Sequence, residues 1–275
     1  MFLVLGNATI DEAMAAPLWP APGQTVIVGA PQRDLGGKGA NQALAARRAG
    51  AEVVLAGACG EDEFAVPALT HLRYDGVNLD RVRNAPTATG VALIFVGGDG
   101  ENVIVIIAGA NGTVSVADAE AAVAAMKPGD TLMLQLEIPT ATIEAALKAA
   151  RGRRIRTVLN TAPLTTDATR LAAMADIVIA NETEFELLVG RRGLDGASRE
   201  LAMQDYAKVA GQTIIVTLGG DGVIAVRDGK TVRIKSLKVD PIDTVGAGDT
   251  FCGYFVAGLD QGLGFEPALK RAAVA

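Results

Sequence analysis

The segment Asp243-Thr-Val-Gly-Ala-Gly-Asp249 joins two carboxylates to two glycines, directly before the apolar stretch of residues 250–259. The apolar stretch predicts a buried helix, whose first N–H groups and dipole favour a bound anion. Glycines let a ligand approach these N–H groups because they carry no Cβ. Asp249 could then take a proton from a substrate hydroxyl beside the phosphate charge. An alternative of about equal weight is that Asp249 or Thr250 only caps the helix.

A second glycine cluster, Gly36-Gly-Lys-Gly-Ala-Asn-Gln-Ala43, lies far upstream and favours the ligand-binding interpretation of the first. It opens a predicted helix that ends at Gly50, a residue type common just after helices. Ligands of open α/β sheets bind at the carboxyl ends of strands. Any one polar group there could be a helix cap, but several together favour a small polar substrate and a phosphate-bearing cosubstrate. Such groups follow four predicted strands, at Glu137, Asn160-Thr-Ala-Pro163, Asn181-Glu-Thr-Glu184 and Thr217-Leu-Gly-Gly-Asp-Gly222.

Strands and helices alternate along most of the chain, which predicts an α/β fold with a mostly parallel sheet covered by helices on both faces. Ser115 and Asp118, three residues apart, predict a capped helix start. Two short apolar runs near the C-terminus, at 223–226 and 231–235, predict a further hairpin. The other strands are predicted at residues 3–6, 52–58, 131–135, 156–159, 177–180 and 213–218.

A small separate β-layer is predicted in the N-terminal half. The apolar runs 91–96 and 102–107 flank Gly97-Gly-Asp-Gly100, a strong hairpin signal. Between residues 12 and 35, Thr25-Val-Ile-Val28 is the one clear predicted strand. We expect residues 12–35 and 87–107 to form an inserted β-sheet that closes over the site as a lid. Its uncovered apolar strands would pair with a second copy of the chain in a homodimer.

Composition and charge exclude several classes of protein. The formal net charge of −6 argues against nucleic acid or an anionic membrane as the main partner, and no 18-residue uncharged apolar run predicts a membrane span. Cys59 and Cys252 stand far apart in apolar settings, which predicts buried free thiols and a cytoplasmic location rather than a disulfide or zinc site. His71 is the single histidine, so acid–base chemistry must use carboxylates.

Two nucleotide-binding motifs are excluded. The sequence contains no Gly-x-x-x-x-Gly-Lys-[Ser/Thr] and is therefore not a P-loop enzyme. Gly220-Asp-Gly222-Val-Ile-Ala225 matches a dinucleotide-binding pattern, but a predicted hairpin rather than a helix follows it.

Taken together, these motifs resemble the ribokinase-like (PfkB) family of carbohydrate kinases, and its ribokinase subfamily most closely, over nearly the whole chain. The cluster from Gly36 to Ala43 is similar to the family's first signature, and the segment from Asp243 to Asp249 to its second. The resemblance implies one domain over residues 1–275 and ATP-dependent phosphorylation of a sugar hydroxyl, with ribose or a similar pentose as the expected sugar. Shorter strings in the family's order are Leu93-Ile-Phe-Val96, Glu101-Asn-Val-Ile104, Gly109-Ala-Asn111 and Leu134-Gln-Leu-Glu137.

The resemblance also implies a role for each site residue. Asp249 would be the base, and the amides of Gly246, Ala247 and Gly248 the anion hole. The residues expected to hold the sugar are Asp11, Gly37, Lys38, Gly39, Asn41 and Glu137. Those expected to line the nucleotide site are Asn181, Thr217, Gly219, Gly220 and Gly222. Glu184 would act on Mg²⁺ through water, and Asp243 with the Val245 carbonyl would bind K⁺.

Two departures from the family pattern modify these expectations. Thr9-Ile10-Asp11 stands where ribokinases typically have Asn-Ala-Asp, so a hydroxyl replaces one amide at the sugar. The chain also ends at Ala275, before a segment that normally completes the K⁺ site, so we expect weak K⁺ binding here. Alternatives are a kinase of a nucleoside or another sugar, and a non-catalytic sugar- or nucleotide-binding protein. Asp249 argues against the last, because a pure binder needs no base.

Overall fold

The computed structural model describes residues 1–16, 19, 21–97, 102–239 and 244–275. Its strands are β1 (Phe2–Leu5), β2 (Thr9–Ala16), β3 (Gln32–Gly36), β4 (Val53–Gly60), β5 (Asn78–Ala85), β6 (Gly90–Gly97), β7 (Asn102–Ile107), β8 (Thr131–Leu134), β9 (Arg156–Asn160), β10 (Ile177–Asn181), β11 (Thr213–Thr217), β12 (Val223–Arg227) and β13 (Lys230–Ile234). Its α-helices are α1 (Lys38–Arg48), α2 (Ala65–Tyr74), α3 (Val116–Ala124), α4 (Thr140–Arg153), α5 (Ala168–Ala172), α6 (Glu182–Leu188), α7 (Gly196–Ala210), α8 (Ala247–Asp260) and α9 (Phe265–Ala272).

Within the described residues, nine strands form one large sheet in the order β13-β12-β11-β10-β9-β8-β1-β4-β5. The neighbours from β11 to β5 pair in parallel, and β12 and β13 join as the antiparallel hairpin that the sequence predicted. The predicted mostly parallel sheet is therefore confirmed. Its carboxyl edge lies at the ends of β1, β8, β9, β10 and β11, where the polar groups singled out in the sequence follow.

Helices pack on both faces of this sheet, as the near-continuous apolar strands predict. Along β1, Leu3 and Leu5 enter the core on one face, while Phe2 and Val4 enter the core on the other. Helix α3 begins at the predicted capping box, in which the Ser115 side chain accepts from Asp118 N and the Asp118 carboxylate accepts from Ser115 N. Helices α1 and α8 lie side by side on the second face, an arrangement that brings the two glycine clusters together.

A second, four-stranded sheet has the order β3-β2-β6-β7. The predicted hairpin is present as the antiparallel pair β6–β7, although residues 98–101 of its turn lie outside the described part of the chain. The prediction of a strand at residues 25–28 is wrong, and Ile27 is 90% exposed. Both edges of β2 are occupied, by β3 on one side and by β6 on the other, and residues 25–28 pair with no strand of the described structure.

No helix in the described part of the chain is long and apolar enough to cross a bilayer. Cys59 and Cys252 are both buried free thiols, as the sequence predicted. Burial raises the pKa of the Cys59 thiol to about 11, and it raises the pKa of Cys252 well above the ordinary value, so both remain neutral.

Candidate active site

Asp249 lies in the first turn of α8 with only 7% of its surface exposed. Two neighbouring side chains of α1 donate to its carboxylate: Asn41 Nδ2 to Oδ2 at 3.3 Å and Gln42 Nε2 to Oδ1 at 2.8 Å. Burial raises the pKa of Asp249, while Lys38, Gln42 and Asn41 act in the opposite direction. A buried carboxylate with a raised pKa beside a cavity is the arrangement expected of a general base.

The N-terminus of α8 is open. Gly246 is the N-cap with φ of 75°, a left-handed conformation that favours glycine. A Cβ built on Gly246 or Gly248 would meet no atom of the described residues within 4 Å. The backbone of Gly246, Ala247 and Gly248 therefore has room beside it for a ligand, and the helix dipole makes that place favourable for an anion.

The N-terminus of α1 is packed against the rest of the protein instead. The Lys38 amide donates to Glu137 Oε2 at 3.0 Å, and the Gly39 amide donates to Asn7 Oδ1 at 3.0 Å. The Ala40 amide donates to the Asn7 carbonyl at 2.9 Å. These contacts anchor α1 to the turn after β1 and to the segment after β8, and they fix where Lys38 and Asn41 reach into the site.

A cavity of about 360 Å³ opens between this helix terminus and the small sheet. Alternate residues of the hairpin cover one side of it, and Asp11 of β2 faces it beside Glu137. Burial raises the pKa of Asp11 and of Glu137. A cavity with several carboxylate and amide groups can pair the many hydroxyls of a sugar. The polar lining residues are Asn7, Thr9, Asp11, Lys38, Asn41, Asn102, Glu137 and Asp249.

A smaller cavity of about 150 Å³ lies on the other side of Asp249. Asn181, Glu184 and Thr217 line it, at the ends of β10 and β11. Asn181 and Glu184 also form the capping box of α6: Glu184 N donates to Asn181 Oδ1 at 2.8 Å, and Asn181 N donates to Glu184 Oε2 at 3.0 Å. Both residues therefore cap helix α6 and also line the smaller cavity.

Three residues, Lys38, Gly246 and Asp249, line both cavities. The candidate base therefore stands at the boundary between a sugar-sized space and a second polar space, and the open N-terminus of α8 lies at the same boundary. A hydroxyl held in the larger cavity and a phosphate held at α8 would meet beside the carboxylate of Asp249.

The remaining predicted residues are less closely gathered. Gly219 and Gly220 lie in the short turn after β11 and do not line either cavity in the described structure. Gly222, with φ of 99°, is required by the fold itself, because a Cβ there would lie 2.1 Å from the Ile234 carbonyl oxygen. Val245 lines the larger cavity, whereas Asp243 lies outside the described residues.

Among the described residues, no group of three His, Cys, Asp or Glu side chains could hold a metal ion. Glu184 is the carboxylate of the smaller cavity that could act on a cation bound to a phosphate. Burial raises the pKa of Glu184, and the negative charge of Asp249 adds to this effect. A nearby cation would reverse it, because opposite charge favours the ionised form.

Sequence reasoning missed Gln42 and Gln135, two of the buried amides beneath Asp249, and singled out Asn160 only as a polar group after a predicted strand. Gln42, Gln135 and Asn160 are buried and hydrogen-bonded to one another, and Asn7 anchors α1. Gln42 sits inside the first glycine motif and Gln135 is the last residue of a predicted strand, so their positions carried a signal. Their partners lie 93 to 207 residues away in sequence. For that reason, only the fold shows the contacts.

A larger cavity, of about 680 Å³, lies elsewhere in the described structure. Arg156, Ile177 and Thr213 line it at the starts of their strands, which is the opposite end of the parallel sheet from Asp249. Ligands of such sheets bind at the carboxyl ends of the strands. Chemistry and topology therefore both favour the two cavities beside Asp249 over this larger one.

Comparison with known proteins places the chain among sugar kinases. The family model for pfkB family carbohydrate kinases matches residues 3–275. A ribokinase of Haemophilus influenzae is 35% identical over 268 residues, which cover 97% of this chain and 88% of that protein. A deoxyribokinase of Salmonella typhimurium is 32% identical over 271 residues, covering 98% and 89%. The structure of an Arabidopsis thaliana ribokinase complexed with ribose and ATP superposes with a TM-score of 0.87 at 28% identity, covering 99% of this chain and 89% of that one.

Proposed function

The chain belongs to the pfkB family of carbohydrate kinases, and we propose that it transfers the γ-phosphoryl group of ATP to a hydroxyl of ribose. The observation that carries the proposal is the position of Asp249, between the cavity suited to a sugar and the open N-terminus of α8. Similarity to ribokinases over 97% of the chain supports ribose as the substrate. The alternative of a nucleoside kinase is not favoured by these relatives.

In this mechanism the larger cavity binds ribose, and the smaller cavity receives the transferring phosphates of the nucleotide. Asp11, Asn41 and Glu137 orient the sugar hydroxyls, with the backbone of Gly37 to Gly39 completing that side. Ionised Asp249 accepts the proton of the attacking hydroxyl as its oxygen bonds to the γ-phosphorus. The bond from that phosphorus to the β–γ bridging oxygen breaks, and ADP leaves.

Charge stabilisation at the transferring group is the main task in such a reaction. The amides of Gly246, Ala247 and Gly248 would hold the phosphoryl oxygens at the N-terminus of α8, where the dipole favours negative charge. Lys38 lines both cavities and adds a positive charge between them. Asn181 and Thr217, with Gly219, Gly220 and Gly222 in the turn after β11, would line the nucleotide side.

Mg²⁺ is part of the proposal. The ion would neutralise charge on the phosphates of ATP, which supply most of its ligands in kinases. Glu184 fits a role through a bound water, because its carboxylate lines the phosphate-side cavity. The Val245 carbonyl and Asp243 are proposed to contact K⁺ beside the anion site. Two oxygens replace only a small part of the hydration shell of K⁺, so we expect the initial rate with K⁺ to exceed that with tetramethylammonium only slightly at constant ionic strength. Strong activation by K⁺ would contradict this expectation.

A homodimer formed through the small sheet is also proposed. Alternate residues of β7, namely Ile104 and Ile106, face the larger cavity, so Val103, Val105 and Ile107 point to the opposite face of the sheet. These three side chains are 48%, 48% and 50% exposed. An apolar edge strand with an exposed face favours a partner strand or sheet, and a second copy supplies a matching one. Light scattering at micromolar concentration would test this, and a monomer would contradict it.

The experiment that tests the function is a measurement of ADP production with a panel of sugars. Ribose, 2-deoxyribose, fructose and adenosine should each be tested with ATP and Mg²⁺, because relatives of this chain include both a ribokinase and a deoxyribokinase. We expect the highest kcat/KM with ribose. A higher kcat/KM with 2-deoxyribose would show that deoxyribose rather than ribose is the preferred substrate. Binding of ATP without turnover of any acceptor would contradict the proposed kinase activity.

A further inference from the structure

A hydrogen-bonded series of buried side-chain amides lies beneath the carboxylate of Asp249. Gln42 Nε2 donates to Asp249 Oδ1 at 2.8 Å and also to Asn160 Oδ1 at 3.1 Å. Gln42 Oε1 accepts from Gln135 Nε2 at 2.5 Å. Asn160 Nδ2 in turn donates to the Ile179 carbonyl at 3.2 Å. Gln42 and Gln135 are 0% and 1% exposed, so water does not compete for these bonds.

The acceptors at the two ends of this series of amides fix the direction of each hydrogen bond in it. The Ile179 carbonyl and the ionised Asp249 carboxylate can only accept, so Asn160 and Gln42 must turn their NH₂ groups toward them. Both hydrogens of Gln42 Nε2 are then used, and Gln42 Oε1 must find a donor, which Gln135 supplies. A reversed Gln42 amide would place its oxygen against two acceptors and its NH₂ against that of Gln135.

The fold retains an unpaired group in this arrangement. Gln135 Oε1 is buried and, among the described residues, has no hydrogen-bond partner. An unpaired buried carbonyl is costly, but Gln212 Oε1, far from the site, is unpaired in the same way, so the unpaired oxygen by itself does not indicate a function. What links Gln135 to the site is its NH₂ group, which it directs to Gln42 Oε1 while its own oxygen stays unpaired.

We propose that Gln42, oriented by Gln135, is a positioning residue that holds the Asp249 carboxylate in place and favours its ionised form. The inference rests on the proposed role of Asp249 as the base. A donor fixed on Oδ1 prevents the carboxylate from rotating about its Cβ–Cγ bond and leaves Oδ2 beside Asn41. It also offsets part of the desolvation that disfavours the negative charge in a buried site.

The test is the substitution Gln42→Met, which keeps the length and volume of the side chain and removes both donors. We expect kcat to fall roughly 10- to 100-fold, the range expected from losing a hydrogen bond to a charged group. The KM values for ribose and ATP should stay within a few-fold. The acidic limb of the plot of kcat/KM against pH should move to higher pH. Losing a hydrogen-bond donor to the ionised Asp249 carboxylate destabilises that form and raises the pKa of Asp249.

The matched control is Gln212→Met. Gln212 is also buried, at 7% exposure, and its NH₂ donates to the backbone carbonyls of Ala172 and Ala175, far from the site. The variant should lower the melting temperature without moving the pH profile. Gln135→Met is the second test variant, and it removes a group whose carbonyl was unpaired. It should shift the acidic limb in the same direction as Gln42→Met, by a smaller amount.

The outcomes separate this inference from the proposed function. If Asp249→Asn retained most of its activity, the base assignment itself would fail. If Asp249→Asn were inactive but neither Gln42→Met nor Gln135→Met moved the acidic limb, the positioning role would be overturned alone. A Gln42→Met variant that did not fold would leave Gln135→Met to decide, since the same shift is expected from it.

Discussion

Two helix N-termini meet at the boundary between the cavities, and they differ in how they are packed. The first turn of α1 is held by Asn7 and Glu137, and a Cβ on Gly39 would lie 2.6 Å from the Asn7 nitrogen. The first turn of α8 has open space around Gly246 and Gly248. One terminus is therefore built as a fixed wall of the sugar site, and the other as a place for a ligand anion. The first should control sugar affinity and stability, and the second should control the rate.

Asp249→Asn should have the largest effect. An amide cannot take the proton, and general-base catalysis contributes roughly 10²- to 10⁴-fold, so we expect kcat to fall within that range. The KM values for sugar and ATP should change only a few-fold, because shape and polarity are kept. Steady-state kinetics with ribose measures both. A variant with half the activity of the original protein would show that the base lies elsewhere.

Next in size is a matched pair of glycine substitutions. Gly248→Ala places its methyl group in open space, so the fold should be kept and the helix favoured by roughly 0.5–1 kcal/mol. The same methyl group would displace a phosphate at α8, and a small misplacement can cost up to roughly 10²-fold in rate. Gly39→Ala should do the reverse and destabilise the protein by roughly 1–3 kcal/mol, because the Asn7 backbone must move.

Thermal melting and kcat, measured on both glycine variants, would decide this comparison. The prediction requires the more stable variant to be the slower one per folded molecule. Equal losses of stability in the two variants would show that the α8 terminus is packed as tightly as that of α1. In that case its glycines would serve the fold rather than a ligand.

The two termini also differ in how far the sequence predicted them. The glycine motifs, Asp249 and the hairpin were accessible because residue type and spacing carry local backbone requirements. Gln42 was not, because its hydrogen bonds to Asn160, Asp249 and Gln135 are set by how separate helices and strands pack together, and no local sequence pattern encodes them. Strand β3, with the sequence Gln-Arg-Asp-Leu-Gly, has no apolar alternation and forms because β2 offers an edge. The apolar run at residues 25–28 has β-forming residues but pairs with no strand of the described structure, so local pattern alone did not decide which segment joins this sheet.

The pH dependence of the rate is the next prediction. Burial raises the pKa of Asp249 above its ordinary value of 3.8, and only the ionised form can accept a proton. The acidic limb of kcat/KM should therefore lie above that value, with the rate falling about tenfold per pH unit below the raised pKa. The pH profile of the residual activity of Asp249→Asn is the control for titration of ATP, and it should lack this acidic limb. A profile that is flat down to the ordinary pKa of an aspartate would contradict the burial argument.

The smallest expected effect concerns Thr9, on the α1 side of the comparison. Thr9 is buried, and its Oγ1 donates to Asp11 Oδ1 at 3.0 Å, which fixes that carboxylate at the edge of the larger cavity. Thr9→Val keeps the shape and removes this donor, and a hydrogen bond to a charged group contributes roughly 1.5–3 kcal/mol. Part of that is recovered when Asp11 pairs with the sugar instead, so we expect the KM for ribose to rise roughly 3- to 10-fold. Because Thr9 does not line the smaller cavity, the KM for ATP and kcat should be unchanged. Thr9→Ser, which keeps the hydroxyl, should bind ribose almost as the original protein does. If kcat fell in Thr9→Val while the KM for ribose stayed constant, the α1 side would control the rate rather than sugar affinity. The division of roles between the α1 and α8 termini would then be wrong.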